Sequence, residues 1–105
     1  MTLTRDLLLG FIKTHILYHA DREPIYGLWL IGELARHGYH LSPGTLYPIL
    51  HSLEAQGLLA SQKQVVNGRT RKCYRVTRAG RGALRQARNK AISGGPGGLD
   101  RKVGF

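Results

Sequence analysis

Asn67-Gly68 lies between two runs of strand-forming residues, 58–66 and 70–76. Both residues tolerate positive φ, as the tight turn of a two-residue β-hairpin requires. The rest of the chain shows the apolar spacing of helices. The predicted fold class is therefore mainly α with a small β-hairpin.

Helix start and stop signals divide the remaining chain into four helices. Ser42 is a good N-cap, and Pro43 follows it at the first helical position, where a missing N–H costs nothing. Gly38 and Gly57 mark helix ends, and Thr77 caps the last helix. The predicted helices cover residues 3–19, 25–37, 43–56 and 78–92, in the order helix, helix, turn, helix, hairpin, helix.

Length and composition exclude several classes of protein. A chain of 105 residues and 11.7 kDa is one small domain. Its single cysteine excludes a disulfide framework and suits a reducing cytosol. The longest apolar run, 7–12, is far shorter than the roughly 20 residues that span a bilayer, and no signal-peptide cleavage site follows it. We expect a cytoplasmic protein with no membrane partner.

Positive charge is concentrated in the second half of the chain. The formal net charge is +10. Residues 1–62 carry four basic and five acidic side chains, whereas residues 63–105 carry twelve basic side chains and one acidic. Because a surface of one sign attracts polyanions, this asymmetry favours a nucleic-acid partner over a basic face kept for solubility.

Helix three has two faces of different chemistry. Leu46, Leu50 and Leu53 cluster on one side and pack inward, whereas the opposite side is small, polar or flat. Such a slim surface suits the major groove of DNA, which is about 12 Å wide. With the preceding helix and the basic hairpin, it predicts a winged helix-turn-helix. The candidate DNA-binding residues of this helix and its cap are Ser42, Gly44, Thr45, Tyr47, Pro48, His51 and Ser52.

The hairpin turn carries the other candidate DNA contacts. Arg69, Arg71 and Lys72 lie at or just past the turn, which projects them from the body toward phosphates or a narrow minor groove.

Pro48 is the one residue of predicted helix three that does not suit a helix interior. A proline inside a helix clashes with the carbonyl four residues back, here that of Gly44, so a bend is expected.

Two segments of the chain together suggest a family. Residues 42–50 read SPGTLYPIL and continue through Leu53-Glu54 to Gly57-Leu58-Leu59, while residues 68–77 read GRTRKCYRVT with Ala79-Gly80 following. These segments resemble the signature and the wing of the PadR family of bacterial transcriptional regulators. Residues 25–27 (IYG) and Glu33-Leu34 resemble its second helix more loosely, and the resemblance covers about residues 3–92.

The resemblance implies a homodimeric repressor with helix three in the major groove and the wing beside it, and it makes Pro48 an expected residue. The single last helix is similar to the short type of the family, which dimerises through its first and last helices. Thr70 and Cys73 stand where the family commonly has proline and tyrosine, and Leu28-Trp29 replaces its tyrosine–acid pair. We expect a DNA-binding domain (1–77), a dimerisation helix (78–92) and a flexible Gly-rich tail (93–105).

Dimerisation is also favoured by the residues themselves. Helix one is apolar around nearly its whole circumference, which requires more than one neighbour to bury it. Helix four places small residues on one narrow face and arginines on the other, so close helix approach is possible. The candidate dimerisation residues are Leu8, Phe11, Ile12, Ala83, Leu84, Ala87 and Ala91.

Cysteine and histidine are the candidate sensors. Cys73 is expected to face outward beside Arg71 and Arg75, whose charges favour a thiolate, so it is a possible redox switch; a small residue in a strand is the simpler interpretation. His15 and His19 have the spacing of metal ligands on a helix. Since no carboxylate or cysteine is visibly placed to complete a site, we interpret them as core or interface residues and predict neither metal nor cofactor.

Enzyme function is not expected, because the chain shows no serine–histidine–acid pattern, no paired-carboxylate pocket and no phosphate-binding glycine loop. We predict a sequence-specific DNA-binding transcriptional repressor that binds a pseudo-palindromic operator as a homodimer, with an unidentified small-molecule effector left open. Two alternatives use the same cations: an architectural nucleic-acid-binding protein without sequence preference, and a winged-helix module that docks on an acidic protein.

Overall fold

The computed structural model describes residues 3–93, with side chains described as far as residue 89. Within that range, no helix is long and apolar enough to cross a membrane. The predicted Gly-rich tail lies outside the described residues apart from Ser93, which ends the last helix. The elements are α1 (Leu3–Arg22), β1 (Ile25–Tyr26), α2 (Gly27–Arg36), α3 (Pro43–Ala55), β2 (Leu59–Val66), β3 (Arg69–Val76) and α4 (Arg78–Ser93).

The hairpin is part of a three-stranded antiparallel sheet with the order β1-β3-β2. At its tip, Asn67 and Gly68 have φ of 52° and 76°, so the two-residue turn is confirmed. The sequence assigned Ile25 and Tyr26 to a helix, and this was wrong. These two residues pair with Tyr74 and Cys73 of β3, because pairing with the sheet outweighs the local helical pattern.

The core lies where all four helices meet the sheet. Its fully buried side chains come from every layer: Ile16, Ile25, Leu30, Leu34, Leu46, Leu50, Leu53, Leu59 and Tyr74. The mainly helical fold with a small sheet is therefore confirmed. Helix α2 starts two residues later than predicted; it buries Leu30 and Leu34 and leaves Leu28 exposed.

Cys73 was expected to face solvent, and it does not. The side chain of Cys73 is 0% exposed, and that of its neighbour Tyr74 is 1% exposed. Consecutive strand residues point to opposite faces, so β3, the central strand, is covered on both sides at this point. The buried thiol lacks the exposure that a redox-sensing cysteine needs, which removes the basis for that expectation.

Residues at the start of α4 contact both the sheet and the end of α1. The backbone N–H of Gly80 donates to the Thr77 hydroxyl at 3.0 Å, which confirms the predicted cap. A Cβ at Gly80 would collide with the Leu58 carbonyl and with Val76, so only glycine allows this approach. Further along, Arg81 Nε donates to Asp21 Oδ1 at 2.8 Å and ties α4 to the end of α1.

Candidate nucleic-acid interface

The N-terminus of α3 is open to solvent. Ser42 occupies the predicted N-cap position, and its carbonyl accepts the backbone N–H groups of Thr45 and Leu46 at 3.0 and 2.9 Å. Its hydroxyl makes no bond to the helix backbone and instead donates to the Thr45 hydroxyl at 3.3 Å. Two hydroxyl groups therefore stand at the exposed, positive end of the helix dipole, where phosphate oxygens bind well.

The outer face of α3 is slim and flat, as the sequence predicted. Gly44, Thr45, Pro48 and His51 are exposed, and Ser52 is half-buried, while the leucines on the opposite side are buried. Pro48 lies inside the helix, and Gly44, four residues before it, brings no side chain to that face. A surface of this profile fits a groove without steric obstruction.

Tyr47 anchors α3 to the start of α2. A Cβ at Gly27 would lie only 2.5 Å from the Tyr47 hydroxyl oxygen, so the tyrosine ring fills the space that glycine leaves. Tyr47 is half-buried, and its hydroxyl is directed at the protein itself. The ring also lines a cavity of about 230 Å³ between the helices and the hairpin, together with Tyr26, Gly27, Leu28, Thr70, Arg71 and Lys72.

Arg71 is held in place by a residue that sequence reasoning missed. Its guanidinium lies 5.6 Å from the ring centroid of Tyr26, a cation–π distance. The Tyr26 hydroxyl in turn donates to Gln64 Oε1 at 2.6 Å, which connects β1 to β2 across the sheet. The available signal was the pair of strand-forming residues Ile25-Tyr26 between Pro24 and Gly27, which the helical assignment concealed.

The other two predicted cations of the hairpin, Arg69 and Lys72, differ in their surroundings. Arg69 is exposed at the turn. Lys72 Nζ lies 3.9 Å from Glu54 Oε1 on α3, and the hydroxyl of Ser61 donates to Glu54 Oε2 at 2.5 Å. The Ser61 hydrogen bond, with Lys72 adding to it, holds the pKa of Glu54 below its usual value. Lys72 is therefore paired with α3, whereas Arg69 and Arg71 extend the face outward.

The predicted dimerisation residues divide into two groups. Leu8 and Phe11 on α1 are 46% and 58% exposed, Ala87 is exposed and Ala83 is half-buried. Ile12 and Leu84 are both 3% exposed and belong to the core of this chain. The exposed residues are therefore the stronger candidates for an interface, and the interface itself stays a prediction. The side chain of Ala91 lies outside those described.

A helix pair joined by a short turn, with a sheet hairpin placing arginines beside the second helix, defines a winged-helix DNA-binding regulator. The chain matches the model of the Transcriptional regulator PadR-like family over residues 16–86. It therefore belongs to the PadR-like family, and it is a transcriptional regulator and not an enzyme.

Individual relatives agree with this assignment. The chain is 54% identical over 84 residues to a transcriptional regulator of Mycobacterium tuberculosis, Rv3488, with 80% of this chain and 78% of that protein covered. Among solved structures, a PadR family regulator from Eggerthella lenta superposes with a TM-score of 0.74 at 36% identity over 87% of this chain and 80% of its own. A PadR-like regulator from Bacillus cereus gives 0.75 at 27% identity, over 85% and 89%.

Proposed function

We propose that the protein is a repressor that binds a pseudo-palindromic DNA operator as a homodimer in the cytoplasm. The observation that carries this proposal is the flat outer face of α3 with Arg71 fixed beside it on the Tyr26 ring. A fixed cation next to a slim helix supplies both a phosphate contact and a surface that reads base edges.

Within each half-site, α3 enters the major groove. Thr45, His51 and Ser52 lie on the groove side, and the open N-terminus at Ser42 faces a phosphate. Arg69 and Arg71 bind the backbone on the flank of the site. Lys72 joins them by exchanging Glu54 for a phosphate.

The second copy is proposed from the exposed apolar surface of α1, which consists of Leu3, Leu7, Leu8 and Phe11. A cleft of about 400 Å³ lies beside it between α1 and α3. Leu8 and Leu9 line its α1 wall, and Ile49 lines its α3 wall together with Gly44, Thr45 and Pro48 of the groove face. A closed twofold dimer would cover the exposed α1 side chains and leave Gly44, Thr45 and Pro48 open to DNA. It would repeat α3 at the spacing of one DNA turn, about 34–36 Å.

Fluorescence anisotropy tests the proposal. DNA from upstream of the protein's own gene is compared with a scrambled duplex at graded salt. We expect a preference of about a thousandfold and a linear fall of log K with log salt, with a slope of about −0.9 for each phosphate neutralised. Equal affinity for both duplexes would instead support the architectural alternative. No binding at moderate salt would support the protein-interaction alternative.

A further inference from the structure

Three histidines from two helical elements, His15 and His19 on α1 and His37 at the end of α2, lie close together. His15 and His19 lie one turn apart on α1, and His37 is the residue that caps the end of α2. One ring nitrogen from each lies within 4.8 Å of the others. The rings of His15 and His37 are the closest pair, with centroids 5.0 Å apart.

Glu33 supplies the carboxylate that could not be identified from the sequence. It lies one helical turn before His37, and its Oε2 is 3.3 Å from His37 Nε2 and 3.7 Å from His19 Nε2. Its other oxygen accepts a hydrogen bond from Arg36 Nη1 at 3.0 Å. Arg36 thus holds the carboxylate with one oxygen turned toward the histidines, as residues behind a metal ligand commonly do.

Two of the three histidines, His15 and His19, lie in surroundings that disfavour the charged imidazole. Burial lowers the pKa of His15 and of His19, and the neighbouring His37 lowers the pKa of both further. Glu33 opposes this effect for both rings; for His19, Arg22 adds to the lowering and Glu23 opposes it. Neutral imidazole is the form that binds metal ions.

We propose that His15, His19, His37 and Glu33 form a binding site for one divalent transition-metal ion of the zinc class. Three imidazole nitrogens and one carboxylate oxygen are a donor set that Zn²⁺ accepts in tetrahedral geometry, while Mg²⁺ and Ca²⁺ prefer all-oxygen sites. Tetrahedral Zn–N bonds of about 2.0–2.1 Å place the ligand atoms roughly 3.4 Å apart. The three histidine nitrogens lie within 4.8 Å of one another, so they need to approach by roughly an ångström, and exposed His37 has the room to move. Glu33 lies near His37 and His19, so its carboxylate would reach the ion from that side.

A metal ion here would connect two elements that lead to the DNA-binding face. His15 and His19 belong to α1, whereas His37 immediately precedes the turn into α3. The ion would therefore hold the end of α2 against α1. It would also fix the position from which the turn into α3 begins. Trp29, the single tryptophan of the chain, stands edge-on to His19 with ring centroids 5.4 Å apart, so its fluorescence reports on the site.

Metal titration of the full chain tests the proposal, after chelator treatment and removal of any histidine tag. Zn²⁺ is titrated in competition with a chromogenic chelator, and Co²⁺ is titrated while Trp29 fluorescence and visible absorption are recorded. We expect one equivalent of Zn²⁺ per chain, quenching of Trp29 by Co²⁺ at the same stoichiometry, and an increase in Tm with Zn²⁺.

Two variants make the test specific. His37→Gln changes an exposed side chain, so it should fold normally, lose at least about 100-fold in Zn²⁺ affinity and lose the Zn²⁺-dependent rise in Tm. His40→Gln, three residues away and outside the cluster, should bind Zn²⁺ as the wild type does. The proposal is overturned if the wild type binds well below one equivalent, or if His37→Gln and His40→Gln bind Zn²⁺ equally well.

Discussion

Two exposed surfaces of this protein differ in chemistry: the face formed by α3 and the hairpin, and the first half of α1. On α3 and the hairpin, most exposed side chains are polar, small or basic, although Val65 is exposed too, and the leucines of α3 are buried. On the first half of α1, Leu3, Leu7, Leu8 and Phe11 are exposed as well. Exposure alone does not define the function of a surface. A basic, slim surface is suited to DNA, whereas an exposed apolar surface is suited to contact with another protein surface.

The largest effect is expected where α4 begins, because this helix packs closely on the ends of the two hairpin strands. Gly80→Ala should destabilise the protein by about 2–3 kcal/mol, because the new methyl group meets the Leu58 backbone and Val76, which cannot move away cheaply. Urea denaturation measures the change. Gly82→Ala is the matched control, since nothing lies within 4 Å of its Cβ position and alanine favours a helix. Equal stability of the two variants would show that the α4–hairpin contact is not tightly packed.

The apolar surface is tested next. Phe11→Glu should abolish dimerisation and lower operator affinity by about 100-fold or more, because two linked half-sites bind far more tightly than one. Anisotropy with the operator duplex measures the loss. Gly32→Glu places the same charge at an exposed position of α2 and should bind normally. If both variants bind alike, the exposed part of α1 serves something other than dimerisation.

The basic surface gives a smaller, uniform effect. Arg71→Ala should weaken binding to every DNA sequence by about tenfold, near 1.4 kcal/mol, and reduce the salt slope by about 0.9. Arg85→Ala removes an exposed cation from α4 and is the control. A loss confined to one operator would assign Arg71 to base recognition instead of phosphate binding.

The smallest effect is expected at Tyr47. Because its hydroxyl is directed at Gly27, Tyr47→Phe should keep the packing and change the operator-to-random ratio by less than about threefold. Competition binding with random duplex measures this ratio. A tenfold fall would show that the hydroxyl turns outward and contacts DNA in the complex.

The sequence predicted the parts of the proposed DNA-binding face that depend on local rules. The turn at Asn67-Gly68 follows from backbone preference, and the two sides of α3 follow from helical periodicity. Both hold because the signals are short in range and agree with the tertiary packing.

The errors come from contacts between distant residues. β1 exists only because Ile25 and Tyr26 reach β3, almost fifty positions away, and Cys73 is buried because β3 is thereby the central strand. The proximity of His37 to His15 and His19 depends in the same way on how α2 packs on α1. Spacing along the chain contains no information on such pairings.

The mass of the protein–DNA complex tests the central claim most directly. Sedimentation velocity with a labelled operator duplex determines how many chains of 11.7 kDa bind each duplex. If the basic surface binds DNA while the apolar surface of α1 binds a second copy, two chains bind each duplex in the wild type, and Phe11→Glu binds weakly as a single chain. A wild-type complex with one chain per duplex and full operator preference would contradict the account.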